Sequence, residues 1–198
     1  LAARELLART AQVDVHLYGS LALTGRGHCT DRAVLLGLEG FDPATLDPDA
    51  VEPVLARIRG SARLRLAGRH EIPFDEPLAL LWHRDQLLPA HTNGMRFGAF
   101  DAGRTPRLCE EYYSTGGGFV ATAAELAVQR AGAGPAPVAV PCPFCSAAEL
   151  LALCRQHGLE VHELVLANER AVRSDADTRA ALLHVWEVMQ RCMRRGFE

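Results

Sequence analysis

The residues best suited to chemistry sit in Gly27-His-Cys-Thr-Asp31. Thr30 or Asp31 is a good helix N-cap, and His28 lies just before it. The partial positive charge at a helix N-terminus disfavours imidazolium and keeps a neighbouring ring neutral, as a general base must be. Asp31 is close enough in sequence to orient that ring or to position a substrate ammonium. The plainer reading of His28 is a solvent-exposed loop histidine. A second segment, His91-Thr-Asn-Gly-Met-Arg-Phe97, offers His91 and Asn93 to grip a carboxylate or to orient another side chain. Asn93-Gly94 is also a strong hairpin signal, so turn chemistry alone is the competing reading. Arg96 is either a carboxylate partner or a surface arginine on a strand. A third, Glu111-Tyr-Tyr-Ser-Thr-Gly-Gly-Gly-Phe119, can present successive backbone N–H groups to an anion or simply reverse the chain.

Two familiar motifs are incomplete. Gly25-Arg-Gly27 supplies two glycines of a dinucleotide fingerprint, but Thr30 stands where the third belongs, and there is no Gly-Lys-Ser/Thr of a P-loop. Cys142-Pro-Phe-Cys145 has no second CxxC to complete a zinc site, and it follows a proline-rich stretch rather than a βαβ unit. No metal ligands are assigned on this chain. The remaining cysteines read as small apolar residues.

These segments need elements to position them. The 198 residues are 48% hydrophobic and 23% charged, with a net charge of −3. That is enough apolar material for a core, and there is no basic block for nucleic acid. No apolar run reaches the roughly 18 residues of a membrane span. The scattered cysteines favour a reducing, cytoplasmic setting. The chain opens at Leu1, which reads as a start inside a longer polypeptide.

The expected fold class is α+β: a mixed-sheet domain with flanking helices over 1–131, a Pro/Gly linker over 132–145, and an α-helical extension over 146–198. Leu1–Thr10 reads as a helix. Val13–Tyr18 alternates as a half-buried strand, Gly19–Gly27 as a turning segment, and Ala33–Leu38 as a helix. A helix follows from Pro48 or Asp49 to about Arg59. Strands are expected over Arg63–Ala67, Leu78–His83, Met95–Ala102 and Arg107–Tyr113, with a short one at Phe119–Val120 after the glycines. In the extension, Ser146 caps a helix with Glu149 three residues on. Gly158 closes it, a second helix runs from Glu160 to Val172, and a third from Asp175 or Asp177 to at least Arg195.

Taken in order, Tyr18-Gly-Ser-Leu-Ala-Leu-Thr-Gly-Arg-Gly-His-Cys-Thr-Asp31, Gly68-Arg-His-Glu71, His91-Thr-Asn-Gly-Met95 and Tyr112-Tyr-Ser-Thr-Gly-Gly-Gly-Phe119 resemble the bacterial iron–sulfur L-serine dehydratases of the single-chain type. Ser146-Ala-Ala-Glu-Leu-Leu151 and Leu166-Ala-Asn-Glu169 are similar to the segment joining that family's two domains. The resemblance implies conversion of L-serine to pyruvate and ammonia without pyridoxal phosphate, using a [4Fe–4S] cluster as Lewis acid. It implies His28 as the base that removes the Cα proton, with Thr30, Asp31, His91 and Asn93 around the same site. It also implies a cluster-bearing helical domain as partner, a homodimer, no nucleic acid and no membrane. By the same resemblance this chain starts after the family's Ser-Ser-His-Thr motif and stops before its cluster cysteines. The family's front domain is related to an allosteric-site domain of some serine-pathway dehydrogenases. The alternative is therefore a non-catalytic regulatory module that binds serine or a small anion.

Overall fold

Strict alternation of apolar and polar residues makes Gln12–Tyr18 the organising strand, β1, with Val13, Val15 and Leu17 buried on one face. The computed structural model describes residues 6–132 and 138–198, and the chain divides into two compact units, Leu1–Gly134 and Pro135–Glu198. Of the helix expected over Leu1–Thr10, residues 1–5 lie outside the described residues. Leu7–Arg9 form a single 3₁₀ turn instead, and the Thr10 hydroxyl donates to the Leu6 carbonyl at 2.9 Å.

After β1 come α1 (Gly19–Thr24), α2 (Thr30–Leu38), α3 (Pro48–Ser61), the strands β2 (Arg63–Leu66) and β3 (His70–Pro73), the single turn α4 (Glu76–Ala79), and β4 (Leu80–His83). Then follow β5 (Gly94–Phe100), β6 (Pro106–Gly116), β7 (Phe119–Thr122) and α5 (Ala123–Arg130). The main sheet is mixed, in the order β4-β1-β5-β6-β7; only β1 and β4 run parallel. β2 and β3 form a separate hairpin. The α+β reading with a mixed sheet and flanking helices holds.

The core fills the space between one face of β1 and β4 and the elements above it. Val34, Leu35 and Leu36 of α2, Leu55 and Ile58 of α3, and Leu64, Leu66 and Ile72 of the hairpin all pack there. Burying such side chains stabilises the fold by roughly 1.5–3 kcal/mol each. The buried Glu39 ties the hairpin to the helices: its carboxylate accepts from the Arg65 N–H at 2.9 Å and pairs with Arg57. His70 reaches back to the end of the 3₁₀ turn that precedes β1. Its Nε2 lies 2.7 Å from the Thr10 carbonyl oxygen. A carbonyl can only accept, so Nε2 carries the proton.

Several local readings change. Within the turning segment expected over Gly19–Gly27, Gly19–Thr24 form a short helix. Asn93-Gly94 is not a hairpin. β1 lies between β4 and β5, so the chain crosses from one to the other over residues 84–93, and Gly94 opens β5. Asn93 is drawn into the sheet: its Nδ2 donates to the Ser114 carbonyl at 3.3 Å and its own carbonyl accepts from the Ser114 N–H at 3.0 Å. The glycine turn does form a hairpin, β6–β7, in which Gly116, Gly117 and Gly118 all have positive φ. Elements beyond the expected set are β3, the turn α4, which takes Leu78 and Ala79 from the strand expected over Leu78–His83, and α5 with its Thr122/Glu125 capping box.

In the second unit, α6 (Ala147–His157) is capped by Ser146, which accepts from the Glu149 N–H, and ends at Gly158 with φ 64°. α7 covers Val161–Glu169, and α8 runs from Asp175 to Phe197 behind an N-cap at Ser174. The small core holds Cys142, Cys154 and Leu164 with Leu150, Leu153 and Leu159 around them. Asn168 clasps Cys142 at both backbone groups, at 2.9 and 2.8 Å. No helix among the described residues is long and apolar enough to cross a membrane.

Candidate functional site

The loop between α1 and α2 carries His28. Its backbone is tied down: the His28 N–H donates to the Thr24 and Gly25 carbonyls at 3.3 and 3.1 Å, and the Thr30 N–H to Gly25 at 2.8 Å. Cys29, not Thr30 or Asp31, is the N-cap of α2, and it sits at φ 57°. Asparagine and aspartate favour that left-handed conformation, and other L residues adopt it at a cost. Thr30 and Asp31 are therefore the first helical residues. The His28 side chain stands exposed just ahead of them.

Asp31 does not turn its charge to solvent. Arg59 of α3 donates from Nη2 to Asp31 Oδ2 at 2.9 Å, and the same guanidinium grips Glu76 of α4 through Nε at 2.8 Å and Nη2 at 3.1 Å. Asp31, Arg59 and Glu76 line a cleft of about 970 Å³ with Arg26 and Trp82, and the Arg26 guanidinium lies 5.3 Å from the Trp82 ring centroid. Thr30 lines a different, apolar cavity of about 480 Å³ between α2 and the β5–β6 part of the sheet. Neighbours in sequence thus serve two cavities.

His91 and Asn93 are brought together. His91 Nδ1 accepts from the Asn93 N–H at 3.0 Å. That leaves the ring proton on Nε2 as a donor. Their loop hangs on the start of α1: the Gly19 N–H donates to Gln86 at 2.9 Å and the Ser20 N–H to Thr92 at 3.1 Å. The segments carrying His28 and His91 are therefore joined through α1.

A polar ladder on the sheet face opposite the core escaped sequence reasoning. His16 Nδ1 and His83 Nε2 are 2.9 Å apart, their rings stacked at 5.1 Å. Tyr18 stacks on His83 at 4.7 Å, and the Arg96 guanidinium sits 5.5 Å from the Tyr18 centroid. Arg96 then donates to Glu111 Oε1 at 3.1 and 2.7 Å, and the Tyr113 hydroxyl to Glu111 Oε2 at 2.7 Å. Arg96 is thus a partly exposed arginine on a strand whose carboxylate partner is Glu111. The signal was the alternation of β1, which puts Asp14, His16 and Tyr18 on one face. The Tyr113 hydroxyl is pushed up to about 12 by burial and by its bond to Glu111. The Tyr113 hydroxyl, with Arg96, holds the Glu111 carboxyl below its ordinary value.

Burial lowers the His16 ring below its ordinary value of 6.5, assisted by His83 and Arg96 and opposed by Asp14. A depressed histidine binds its proton less readily in the folded than in the unfolded chain. Its contribution is therefore present above 6.5 and is lost as the pH falls below it. Thermal melts between pH 7.5 and pH 5 should show stability falling on acidification through this window. The fall should be shallower in His16→Gln, and equal slopes would remove His16 from the account.

Among the described residues no three His, Cys, Asp or Glu side chains converge as metal ligands. Cys142 and Cys154 are buried, while Cys29, Cys109, Cys145 and Cys192 are exposed. Among the described residues these cysteines form no group of three that could hold a metal ion.

Residues 1–125 match the family model described as serine dehydratase beta chain. An L-serine dehydratase of Streptomyces coelicolor is 43% identical over 192 residues, covering 97% of this chain and 42% of the relative. L-serine dehydratase 1 of Escherichia coli is 39% identical over 197 residues, covering 99% and 42%, and an L-serine dehydratase of Mycobacterium bovis is 41% identical over 183 residues, covering 92% and 38%. The chain spans about two fifths of the length of these relatives.

Proposed function

The chain belongs to the serine dehydratase beta chain family, and on that footing we propose that it is part of an L-serine ammonia-lyase that converts L-serine to pyruvate and ammonia. The observation that carries this is 39% and 43% identity to proteins named L-serine dehydratase over nearly the whole chain. In this reading residues 1–131 are the beta-type domain, 132–145 a linker, and 146–198 the start of a helical domain. A [4Fe–4S] cluster would take its ligands from residues outside these 198, since the cysteines present do not fit it. The working protein would be a cytoplasmic homodimer.

His28 acts as the base. Its backbone anchors hold the ring ahead of α2, where it accepts the proton from Cα of serine. The electron pair left on Cα forms the Cα–Cβ double bond as the Cβ hydroxyl leaves and is protonated to water, giving an aminoacrylate; this tautomerises to the imine, which takes up a water and releases pyruvate and ammonia. His91, with its proton on Nε2, is suited to hold the substrate carboxylate, and Asn93 fixes that ring through its backbone N–H. Thr30 and Asp31 follow His28 in the first turn of α2, and in this reading they support it there.

The test is pyruvate release from L-serine. The full-length protein should show it, whereas residues 1–198 alone should show neither pyruvate formation nor iron–sulfur absorbance. Serine binding by the full-length protein without turnover would favour the regulatory module. Turnover by residues 1–198 alone would overturn the assignment of the cluster to other sequence.

A further inference from the structure

Asp31 is held by a side chain from another helix, and the geometry of that hold is specific. Arg59 lies near the end of α3, and its planar guanidinium offers donors in fixed directions. Glu76 of α4 occupies Nε and one direction of Nη2, which sets the plane of the group. With the plane set, Nη2 meets Asp31 Oδ2 at 2.9 Å. The Asp31 and Glu76 side chains are only 20% and 21% exposed, while Arg59 is 39% exposed, so the carboxylates are the more enclosed members. A partly exposed ion pair of this kind adds little to stability. What it does supply is direction: it restrains an aspartate three positions after His28.

Resting on the reading that Asp31 stands in the serine site, we propose that Arg59 is a positioning residue for the reaction. It acts through Asp31, and Glu76 holds it in the plane required. One guanidinium faces two carboxylates, so the group keeps a net charge of −1 when all three are ionised. Asp31 is thereby oriented without being electrically cancelled. An aspartate in that state can still attract the substrate ammonium or steady the imidazolium that forms on His28. Removal of Arg59 leaves the Asp31 charge in place and loses its direction. Misplacement of a catalytic contact by about 1 Å costs on the order of 100-fold in rate.

The experiment is a double-mutant cycle in the full-length protein, reading kcat and KM for L-serine. Arg59→Gln should lower kcat/KM by about 10- to 100-fold. The loss should vanish when Arg59→Gln is made in an Asp31→Asn background, because the two residues act as one unit. Arg59→Lys should recover part of the activity, since an ammonium can pair with Asp31 but cannot be fixed by Glu76 as a fork. If Arg59→Gln fails to fold by thermal melting, Glu76→Gln carries the same test: a smaller loss, again absent beside Asp31→Asn. Equal fold-losses in both backgrounds, or no loss, would overturn the role of Arg59 while leaving the site intact. An Asp31→Asn variant with unchanged turnover would overturn the placement of Asp31, and Arg59 with it.

Discussion

If His28 is the base proposed above, His28→Ala made in the full-length protein should lower kcat for pyruvate formation from L-serine by about 1,000-fold, with the melting temperature and the absorption spectrum unchanged. The size follows from what a positioned general base contributes, on the order of 10²–10⁴ in rate. The expectation that folding survives follows from the structure. The His28 side chain is exposed, and the loop is held by backbone bonds to Thr24 and Gly25 that alanine keeps. The variant should also stop exchange of the serine Cα proton with deuterated solvent, which isolates the proton-transfer step from later ones. A variant that keeps both turnover and exchange would show that another group takes the proton.

The legible parts of this fold are those written in local chemistry. The alternation of residues 13–18, the glycines of 116–118 and the cap at Ser146 each depend on a few neighbours, and each appears as read. The misreadings share one cause, which is distance along the chain. Asn93-Gly94 has the composition of a tight turn, yet β1 inserts between β4 and β5, and Asn93 bonds Ser114 instead. Tertiary pairing overrides local turn preference there. The candidate site divides in the same way. His28, Thr30 and Asp31 could be named because they cluster ahead of one helix. Arg59 could not, because nothing local says that a residue 28 positions on will reach Asp31. The cap of α2 lies at Cys29, one residue before Thr30 and two before Asp31, for a related reason. The Asp31 carboxylate, an obvious cap, is committed to Arg59, and the Gly25 carbonyl satisfies the Thr30 N–H.

Gly19→Ala should be a strongly damaging single-methyl change, destabilising the first unit by about 3 kcal/mol. Two costs add. Gly19 sits at φ 53°. An L residue in that region costs about 1–2 kcal/mol. A Cβ at this position would also meet the Thr92 carbonyl oxygen at 2.3 Å and the Leu87 side chain at 2.6 Å, and a backbone oxygen cannot swing aside as a side chain can. Overpacking of this kind costs about 1–3 kcal/mol. The contact matters because the Gly19 and Ser20 N–H groups hold the loop that carries His91 and Asn93. The variant should therefore lose serine turnover as well as stability, even though Gly19 itself has no side chain to offer a substrate. Gly116→Ala is the control: φ is again positive, at 95°, but nothing lies within 4 Å of the added carbon, so only the conformational cost applies. Thermal melts and kinetics of both variants check the difference. If Gly19→Ala loses no more stability than Gly116→Ala, the close approach of Thr92 is not what makes glycine necessary at the end of β1.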